Sequence, residues 1–216
     1  MNIRESKMNA YDRIAPYYDA LSSIIFGRSI RRSQECQIQF IPQDSRVLML
    51  GGGTGWLLER VLRERPSCKV TYLESSQKMI EMARAKTPGA SVNFIHGRIS
   101  SIPENTTFDA IIADFFFDQF STDDLRVILK RIAGVLRPGG MLMVADFVDD
   151  KVWKKAFLRV MYQFFFAFDA VIVGSLPPWD KLVREQEFSL QYQAQFYRAF
   201  ICSNVYRNSG GTIAKA

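Results

Sequence analysis

The sequence predicts an α/β fold in which a mostly parallel sheet carries helices on both faces. Short apolar runs alternate with segments of helical spacing from residue 46 onward, and this alternation favours parallel strands joined by helices. The first apolar run ends in a glycine-rich turn, GGGTG at 51–55. With 216 residues, 48% hydrophobic and 13% aromatic, the chain is long and apolar enough for one domain with a buried core.

The first elements follow from periodicity. RVLML at 46–50 is a short apolar run typical of a buried strand, and WLLERVLRER at 56–65 has the three- and four-residue spacing of an amphipathic helix. The same patterns predict a strand over 69–74, a helix over 76–86, a strand over 92–96 and a fourth strand that begins at 108.

Turn and capping residues mark the next boundaries. Ser121, with Asp124 three residues later, indicates a helix start before LRVILKRIAGVL. RPGG at 137–140 predicts a turn, and MLMVADF at 141–147 a fifth strand.

Two final strands complete a predicted sheet of seven, with the last strand antiparallel. FSLQYQAQF at 188–196 and AFICSNVYR at 199–207 are separated by two residues, a gap that only an antiparallel hairpin can bridge. A short helix around DKLVREQ precedes them. We expect residues 1–45 to form a helical cap and 208–216 a flexible tail, flanking one domain over 46–207.

Composition excludes several function classes. The net charge of +6 is dispersed along the chain, which disfavours a nucleic-acid partner. Cys36, Cys68 and Cys202 are far apart and form no CxxC pair, so neither a disulfide framework nor a metal site is expected. A single histidine, His96, leaves little for triad or histidine-metal catalysis. The polar amino terminus has no apolar core of a secretory signal, and we expect a cytoplasmic protein.

The most apolar segment is AFLRVMYQFFFAFDAVIVGSL at 156–176, within a predicted helical insertion at about 151–178. Arg159, Gln163 and Asp169 interrupt it, which disfavours a transmembrane span. Its apolar residues recur on one helical face. They are Phe157, Val160, Met161, Phe164, Phe165, Phe168, Val171 and Ile172. Three interpretations stay open: a core helix, a lid over an acceptor site, or a basic amphipathic helix on a membrane surface.

The glycine turn and Glu74 predict a nucleoside-type cofactor. Glycines allow the backbone to approach a ligand at the carboxyl edge of the sheet, and a carboxylate 19 residues after Gly55 can accept hydrogen bonds from ribose hydroxyls. Trp56 stands where a dinucleotide fingerprint has its third glycine, so a pyrophosphate has no obvious site. A nicotinamide-dependent oxidoreductase stays open as a less favoured alternative.

With these features the sequence resembles the class I S-adenosylmethionine-dependent methyltransferases, over residues 46–207. The matching pieces are VLMLGGGTG at 47–55, YLESSQKMIEMAR at 72–84, FIHGRISSIP at 94–103, FDAIIADFFFDQF at 108–120 and LRPGGMLMVADF at 136–147. YDRIAPYYDAL at 11–21 is similar to the amino-terminal helix of the ubiquinone and menaquinone biosynthesis C-methyltransferase branch. The resemblance implies a Rossmann-like fold and S-adenosylmethionine as cofactor.

The resemblance also implies a set of site residues. The cofactor-binding residues would be Gly51, Gly52, Gly53, Thr54, Gly55, Glu74, Ser75, Met79, Gly97, Arg98, Ile99, Ala113 and Tyr18. Asp118 and Asp114 are the candidate catalytic residues, because they follow the fourth strand on the ligand side of the sheet. The chemistry requires no metal, since the sulfonium group is already electrophilic and the enzyme mainly aligns its acceptor.

Two departures from the family pattern leave a non-catalytic cofactor-binding protein as the main alternative. Met49 stands where the family commonly has an acid before the first glycine, and Arg98 where it has an acid after the third strand. ADFF at 113–116 lacks the Asn/Asp-Pro-Pro-aromatic signature of enzymes that methylate exocyclic amines of bases. The expected acceptor is therefore a small, apolar molecule, with weak membrane-surface contact as an option. The sequence does not indicate which oligomeric state the protein adopts.

Overall fold

A computed structural model describes residues 25–166 and 175–210. Its strands are β1 (Arg46–Leu50), β2 (Lys69–Glu74), β3 (Val92–His96), β4 (Phe108–Ile112), β5 (Leu136–Phe147), β6 (Phe188–Phe196) and β7 (Ile201–Asn208). Its helices are α1 (Ser29–Glu35), α2 (Trp56–Glu64), α3 (Gln77–Lys86), α4 (Thr122–Val135), α5 (Val152–Phe166) and α6 (Trp179–Arg184). Short 3-10 turns lie at Ile38–Phe40, Ile99–Ser101 and Phe117–Gln119.

The strands form one sheet in the order β3-β2-β1-β4-β5-β7-β6. β1 pairs in parallel with β2 and β4, and β3 and β5 extend the parallel region on either side. β7 is antiparallel to both of its neighbours, which confirms the predicted sheet. The chain runs outward from β1 to β3 and then returns to β4 on the other side of β1. This reversal creates a switch point at the carboxyl ends of β1 and β4, where α/β sheets bind ligands.

Two buried apolar layers hold helices against the sheet. Leu48 and Leu50 of β1 belong to the layer that includes α4, and Val47 and Met49 to the layer that includes α2. Burial on both faces explains why β1 is a continuous apolar run and not an alternating one. At the start of α4 the Ser121 side chain accepts a hydrogen bond from the Asp124 N–H at 3.1 Å, as the capping signal predicts.

The prediction that RPGG forms a turn before the fifth strand begins is wrong. Residues 137–140 lie inside β5, which begins at Leu136. Phe108 pairs with Leu136 and Ala110 with Met141, so four residues of β5 bulge opposite one residue of β4. Gly139 has a φ of +74°, a conformation that glycine adopts easily. The turn residues therefore mark a bulge within the strand.

The connection between the last two strands is also longer than the two residues predicted. β7 begins at Ile201, and Tyr197, Arg198 and Ala199 all have positive φ. The antiparallel pairing of β6 and β7 is nevertheless as predicted.

α5 lies in the predicted insertion, and Leu158 on it is buried. The side chains of Met161, Phe164 and Phe165, together with Phe168, Val171 and Ile172, lie outside the described residues, as does Tyr18. Among the helices of the described ranges, none combines the length and the apolar character that crossing a membrane requires.

Candidate functional site

The loop between β1 and α2 carries three glycines with positive φ. Gly51, Gly53 and Gly55 have φ of +62°, +65° and +85°. Side chains with a Cβ rarely adopt this conformation, so the loop geometry itself requires glycine. The sequence-predicted strand, glycine turn and helix are thus one structural unit.

The surroundings of these glycines differ. A Cβ at Gly51 would lie 2.7 Å from a Phe116 ring carbon, and one at Gly55 would lie 2.6 Å from the Ala83 Cα. A Cβ at Gly52 would fall within the Tyr72 ring, 2.1 Å from its nearest atom. At Gly53, no described protein atom lies within 4 Å of that position. Of these four glycines, Gly53 is therefore the one that the described residues leave uncovered.

The Glu74 carboxylate ties the end of β2 to this loop. Its Oε2 accepts a hydrogen bond from the Gly53 N–H at 3.0 Å, and its Oε1 accepts from the N–H groups of Ser75 and Ser76 at 2.7 and 2.9 Å. On the same strand face, the Tyr72 hydroxyl donates to the Gly53 carbonyl at 2.7 Å. Sequence reasoning missed Tyr72, although its position two residues before Glu74 places both side chains on one face of β2.

The end of β3 lies beside Glu74. The Gly97 N–H donates to the Glu74 carbonyl at 3.0 Å, and His96 Nε2 lies 2.9 Å from the Ser75 carbonyl. Ile99 starts a 3-10 turn in which the Arg98 N–H donates to the Ser101 hydroxyl. The structure therefore brings the predicted residues of β2 and β3 to one edge of the sheet.

Three other predicted residues are buried and make contacts within the protein near this edge. The Thr54 side chain is buried and accepts a hydrogen bond from Lys86 Nζ at 3.1 Å. Met79 is buried, and its N–H donates to the Ser76 hydroxyl that caps α3. Ala113 is fully buried and its N–H donates to the Met143 carbonyl. These contacts lie within the protein, and they fix the loop, the start of α3 and the end of β4.

Asp114 follows β4 and is buried. Its Oδ1 accepts a hydrogen bond from the Ala145 N–H at 2.7 Å, whereas Oδ2 is buried without a hydrogen-bond partner of good geometry among the described residues. Burial raises the pKa of Asp114 to about 8, against the lowering effect of that N–H and of the Gln34 and Gln37 side chains. A buried carboxyl oxygen that lacks a well-aligned donor is costly, and a ligand that supplies such a donor would stabilise it.

Asp118 and Asp146 lie close together: Asp146 is fully buried, and Asp118 is half-buried with its Oδ1 enclosed. Asp146 Oδ2 accepts hydrogen bonds from the N–H groups of Phe117 and Asp118 at 3.0 and 3.2 Å. Burial raises the pKa of Asp118 to about 7. The pKa of Asp146 is raised by burial and then by the neighbouring Asp118 charge. Sequence reasoning missed Asp146; its signal is a carboxyl group at the end of an otherwise apolar strand.

An aromatic cluster lies at the same edge, beyond β4 and β5. We use this name for Phe26, Phe115, Phe147, Phe157, Tyr197 and Phe200. Their rings are in contact, with centroids 5.2 Å apart for Phe115 and Phe147 and 5.2 Å for Phe157 and Phe200. Phe115 has a φ of +50°, which is unusual for a bulky residue and marks a strained backbone. Phe115, Phe157 and Tyr197 are half-buried, so part of their ring surface stays open.

The arrangement holds no metal cluster: the described ranges contain no group of three His, Cys, Asp or Glu residues placed to bind an ion. What it does offer is an open glycine loop, a carboxylate beside it, a buried carboxyl oxygen without a well-aligned donor and an apolar aromatic cluster. These features fit a nucleoside-type ligand with a cationic part, next to an apolar second ligand.

Comparisons with known proteins identify the family. A model described as "Methyltransferase domain" matches residues 47–140. A demethylmenaquinone methyltransferase from Thermotoga maritima is 31% identical over 80% of this chain and 74% of its own length. A ubiquinone/menaquinone biosynthesis C-methyltransferase from Geotalea daltonii is 29% identical over the same shares, 80% and 74%.

The fold comparison agrees. The crystal structure of a 1,6-didemethyltoxoflavin-N1-methyltransferase from Burkholderia thailandensis, with S-adenosylhomocysteine bound, superposes with a TM-score of 0.65 at 16% identity. It covers 94% of this chain and 88% of that one. An identity of 31% over four-fifths of the chain, on the fold and loop described above, shows that the chain belongs to the class I S-adenosylmethionine-dependent methyltransferases.

Proposed function

We propose that this methyltransferase acts on a small apolar acceptor that carries an aromatic ring, bound against the aromatic cluster. The observation that carries the proposal is the position of this cluster at the same sheet edge as the glycine loop and Glu74. Rings bind rings through offset or edge-to-face contacts, and Phe115, Phe157 and Tyr197 leave ring surface open for such contacts. The named quinone methyltransferases among the relatives support an acceptor of the quinol class.

The residues of the site fit S-adenosylmethionine. The open side of Gly53 admits the cofactor to the loop backbone, and Glu74 Oε2, which accepts one hydrogen bond from Gly53, has a lone pair left for a ribose hydroxyl. Met49 is buried in the core and cannot help to bind the methionine ammonium. Asp114 Oδ2 is the acceptor we assign to it, because a cation satisfies a buried carboxyl oxygen best.

Asp118 is the proposed general base. When bound, S-adenosylmethionine supplies an electrophilic methyl group. Held by the Gly53 loop, Glu74 and Asp114, it would leave as the neutral thioether after methyl transfer, and the Asp118 carboxylate would take the proton that the acceptor loses. A pKa of about 7 suits this role, because the carboxylate is present at neutral pH and is still basic enough to take a proton. The surrounding rings exclude water from the transfer.

Calorimetry separates the proposal from its alternatives. We expect the wild type to bind S-adenosylmethionine and S-adenosylhomocysteine and not NAD. Glu74→Ala should weaken S-adenosylmethionine binding by about 1–3 kcal/mol, the loss expected for hydrogen bonds to a charged acceptor. Glu81→Ala, which removes an exposed carboxylate of α3 and leaves Glu74 in place, is the matched control. Equal affinity in Glu74→Ala would contradict the assigned ribose contact, and preferred NAD binding would favour the oxidoreductase alternative.

A reducing location such as the cytoplasm is part of the proposal. Its support is that Cys36, Cys68 and Cys202 are all free thiols and that two of them are buried.

A further inference from the structure

α5 has two ridges on its solvent side. Val152, Ala156 and Val160 follow one another at four-residue steps and are all exposed, Val152 by 86% and Val160 by 67%. The basic residues follow at the same steps, one position earlier, and are exposed as well: Lys151 directly before α5, and Lys155 and Arg159 on it. Residues four apart lie on one face of a helix, so an apolar ridge runs beside a basic ridge.

Trp153 broadens the apolar ridge. Its side chain is 42% exposed, although indole rings of soluble proteins are highly buried on average. Indole rings favour the boundary between water and lipid, where one part of the ring is apolar and the N–H stays hydrated. The outer face of α5 is therefore apolar, aromatic and basic at once.

The inner face of the same helix is bound to the rest of the protein. Leu158 is buried, Phe157 contacts Phe200 of the aromatic cluster, and Lys154 is almost fully buried with its ammonium donating to the Ala199 carbonyl. The outer ridges are thus held in a fixed orientation directly outside the proposed acceptor site.

We propose that α5 docks the protein on an anionic lipid bilayer, with the apolar ridge inserted at the interface and the basic ridge on the lipid phosphates. A face that combined basic and apolar residues in this way would be attracted both by the negative surface potential and by the acyl boundary. The evidence for membrane docking is the exposed surface of α5 alone. Its purpose, to collect an apolar acceptor from the membrane, rests on the proposed function.

Vesicle sedimentation tests the docking without cofactor or acceptor. Vesicles of phosphatidylcholine mixed with phosphatidylglycerol should bind the full-length protein, and vesicles of phosphatidylcholine alone should bind it weakly. Replacing Lys151, Lys155 and Arg159 by Gln should lower the partition coefficient on the anionic vesicles about five-fold per charge, roughly a hundred-fold in total. Val152→Ser with Val160→Ser should lower it about ten-fold.

Matched controls lie on α4. Val127 is 70% exposed and Lys130 is exposed, so Val127→Ser with Lys130→Gln removes one exposed valine and one exposed charge from another surface. This control should bind vesicles like the wild type. No binding by the wild type, equal binding to both vesicle types, or unchanged binding by the α5 variants would each overturn the proposal. A change in oligomeric state of the Val152/Val160 variant without vesicle binding would assign the ridge to a second copy of the chain, and would overturn it as well.

S-adenosylmethionine affinity is measured in parallel. Because the α5 variants leave the glycine loop and Glu74 intact, their cofactor affinity should equal that of the wild type. A wild type that binds vesicles but not cofactor would refute the proposed function and leave the docking in place, so the two failures are distinguishable.

Discussion

At the residue scale, the glycines of the loop between β1 and α2 have two different roles, helix packing and an open backbone, although one sequence motif contains them all. Gly55 is packed against the Ala83 backbone, where a Cβ would approach to 2.6 Å, whereas Gly53 opens onto space. The motif alone predicts both as cofactor residues. Only the packing of α2 against α3 distinguishes the structural glycine from the open one.

Gly53→Ala and Gly55→Ala should therefore fail in different ways. Both place an alanine at positive φ, which costs about 1–2 kcal/mol. Gly53→Ala should lose little more stability but should bind S-adenosylmethionine at least ten-fold more weakly, because its methyl group enters the ligand space. Gly55→Ala should be several kcal/mol less stable, since it must also separate two helices. Denaturation and calorimetry on both variants check this. The reverse order of stabilities would contradict the geometry.

Asp118→Asn tests the proposed base. Removal of a general base typically lowers the rate by about 10²–10⁴-fold, while cofactor affinity should stay within a factor of about two. A base must be deprotonated, so wild-type kcat should rise as pH increases through about 7 and then level off. The variant should lose this rise. A variant with wild-type turnover would show that Asp118 only fills space beside Asp146.

At the element scale, the helix after β5 and the β6–β7 connection both contribute rings to the aromatic cluster of the proposed acceptor site. Phe157 of α5 meets Tyr197 and Phe200 from that connection, so the aromatic cluster depends on segments distant in sequence. Periodicity on α5 predicts an apolar face but not the partner it finds. The longer hairpin connection, with three positive-φ residues that are not glycine, has no local sequence signal at all.

Phe157→Ala should weaken acceptor binding selectively. Loss of a half-buried ring should cost about 1–3 kcal/mol of stability and raise the KM for an aromatic acceptor about ten-fold or more, with unchanged cofactor affinity. Phe40→Ala is the matched control, because Phe40 is also half-buried and contacts one ring, Tyr192, away from the cluster. Steady-state kinetics with calorimetry checks both. A similar KM increase in the two variants would mean that lost stability, and not a lost contact between Phe157 and the acceptor, raises the KM.

At the scale of the whole molecule, three buried carboxyl groups couple stability to pH. The pKa values of Asp114, Asp118 and Asp146 are all raised by burial, to about 8 and about 7 for the first two. The unfolded chain releases these protons near pH 4, before the folded protein does. Their contribution to stability is therefore fully present below about pH 4 and is lost as pH rises to about 8.

The free energy of unfolding should consequently fall between about pH 5 and 7, by at least about 1.4 kcal/mol per pH unit, the slope of one such group. Asp114→Asn should reduce that slope by about the same amount. Urea denaturation at several pH values measures it. A stability that rises over this range would show that the carboxyl groups are ionised in the folded protein.

The sequence predicts most of this fold, and the reasons are physical. Strands buried on both faces, a glycine turn and the Ser121 cap leave local signals, and the parallel order follows from alternation with helices. The bulge at residues 137–140 is not predicted, because its residues are typical of turns between strands but here lie within the hydrogen-bonded pairing of β4 and β5. Glu74 and the loop glycines are readable from spacing, whereas Tyr72 and Asp146 act through contacts that only the folded sheet creates.

Transfer of a labelled methyl group tests the central claim most directly. The purified protein, labelled S-adenosylmethionine and a short-chain demethylnaphthoquinol should yield a labelled, methylated product with stoichiometric S-adenosylhomocysteine, and Asp118→Asn should yield at least a hundred-fold less under the same conditions. Cofactor binding without any label in the quinol, or in a panel of other aromatic acceptors, would contradict the account of an aromatic methyl acceptor at this site.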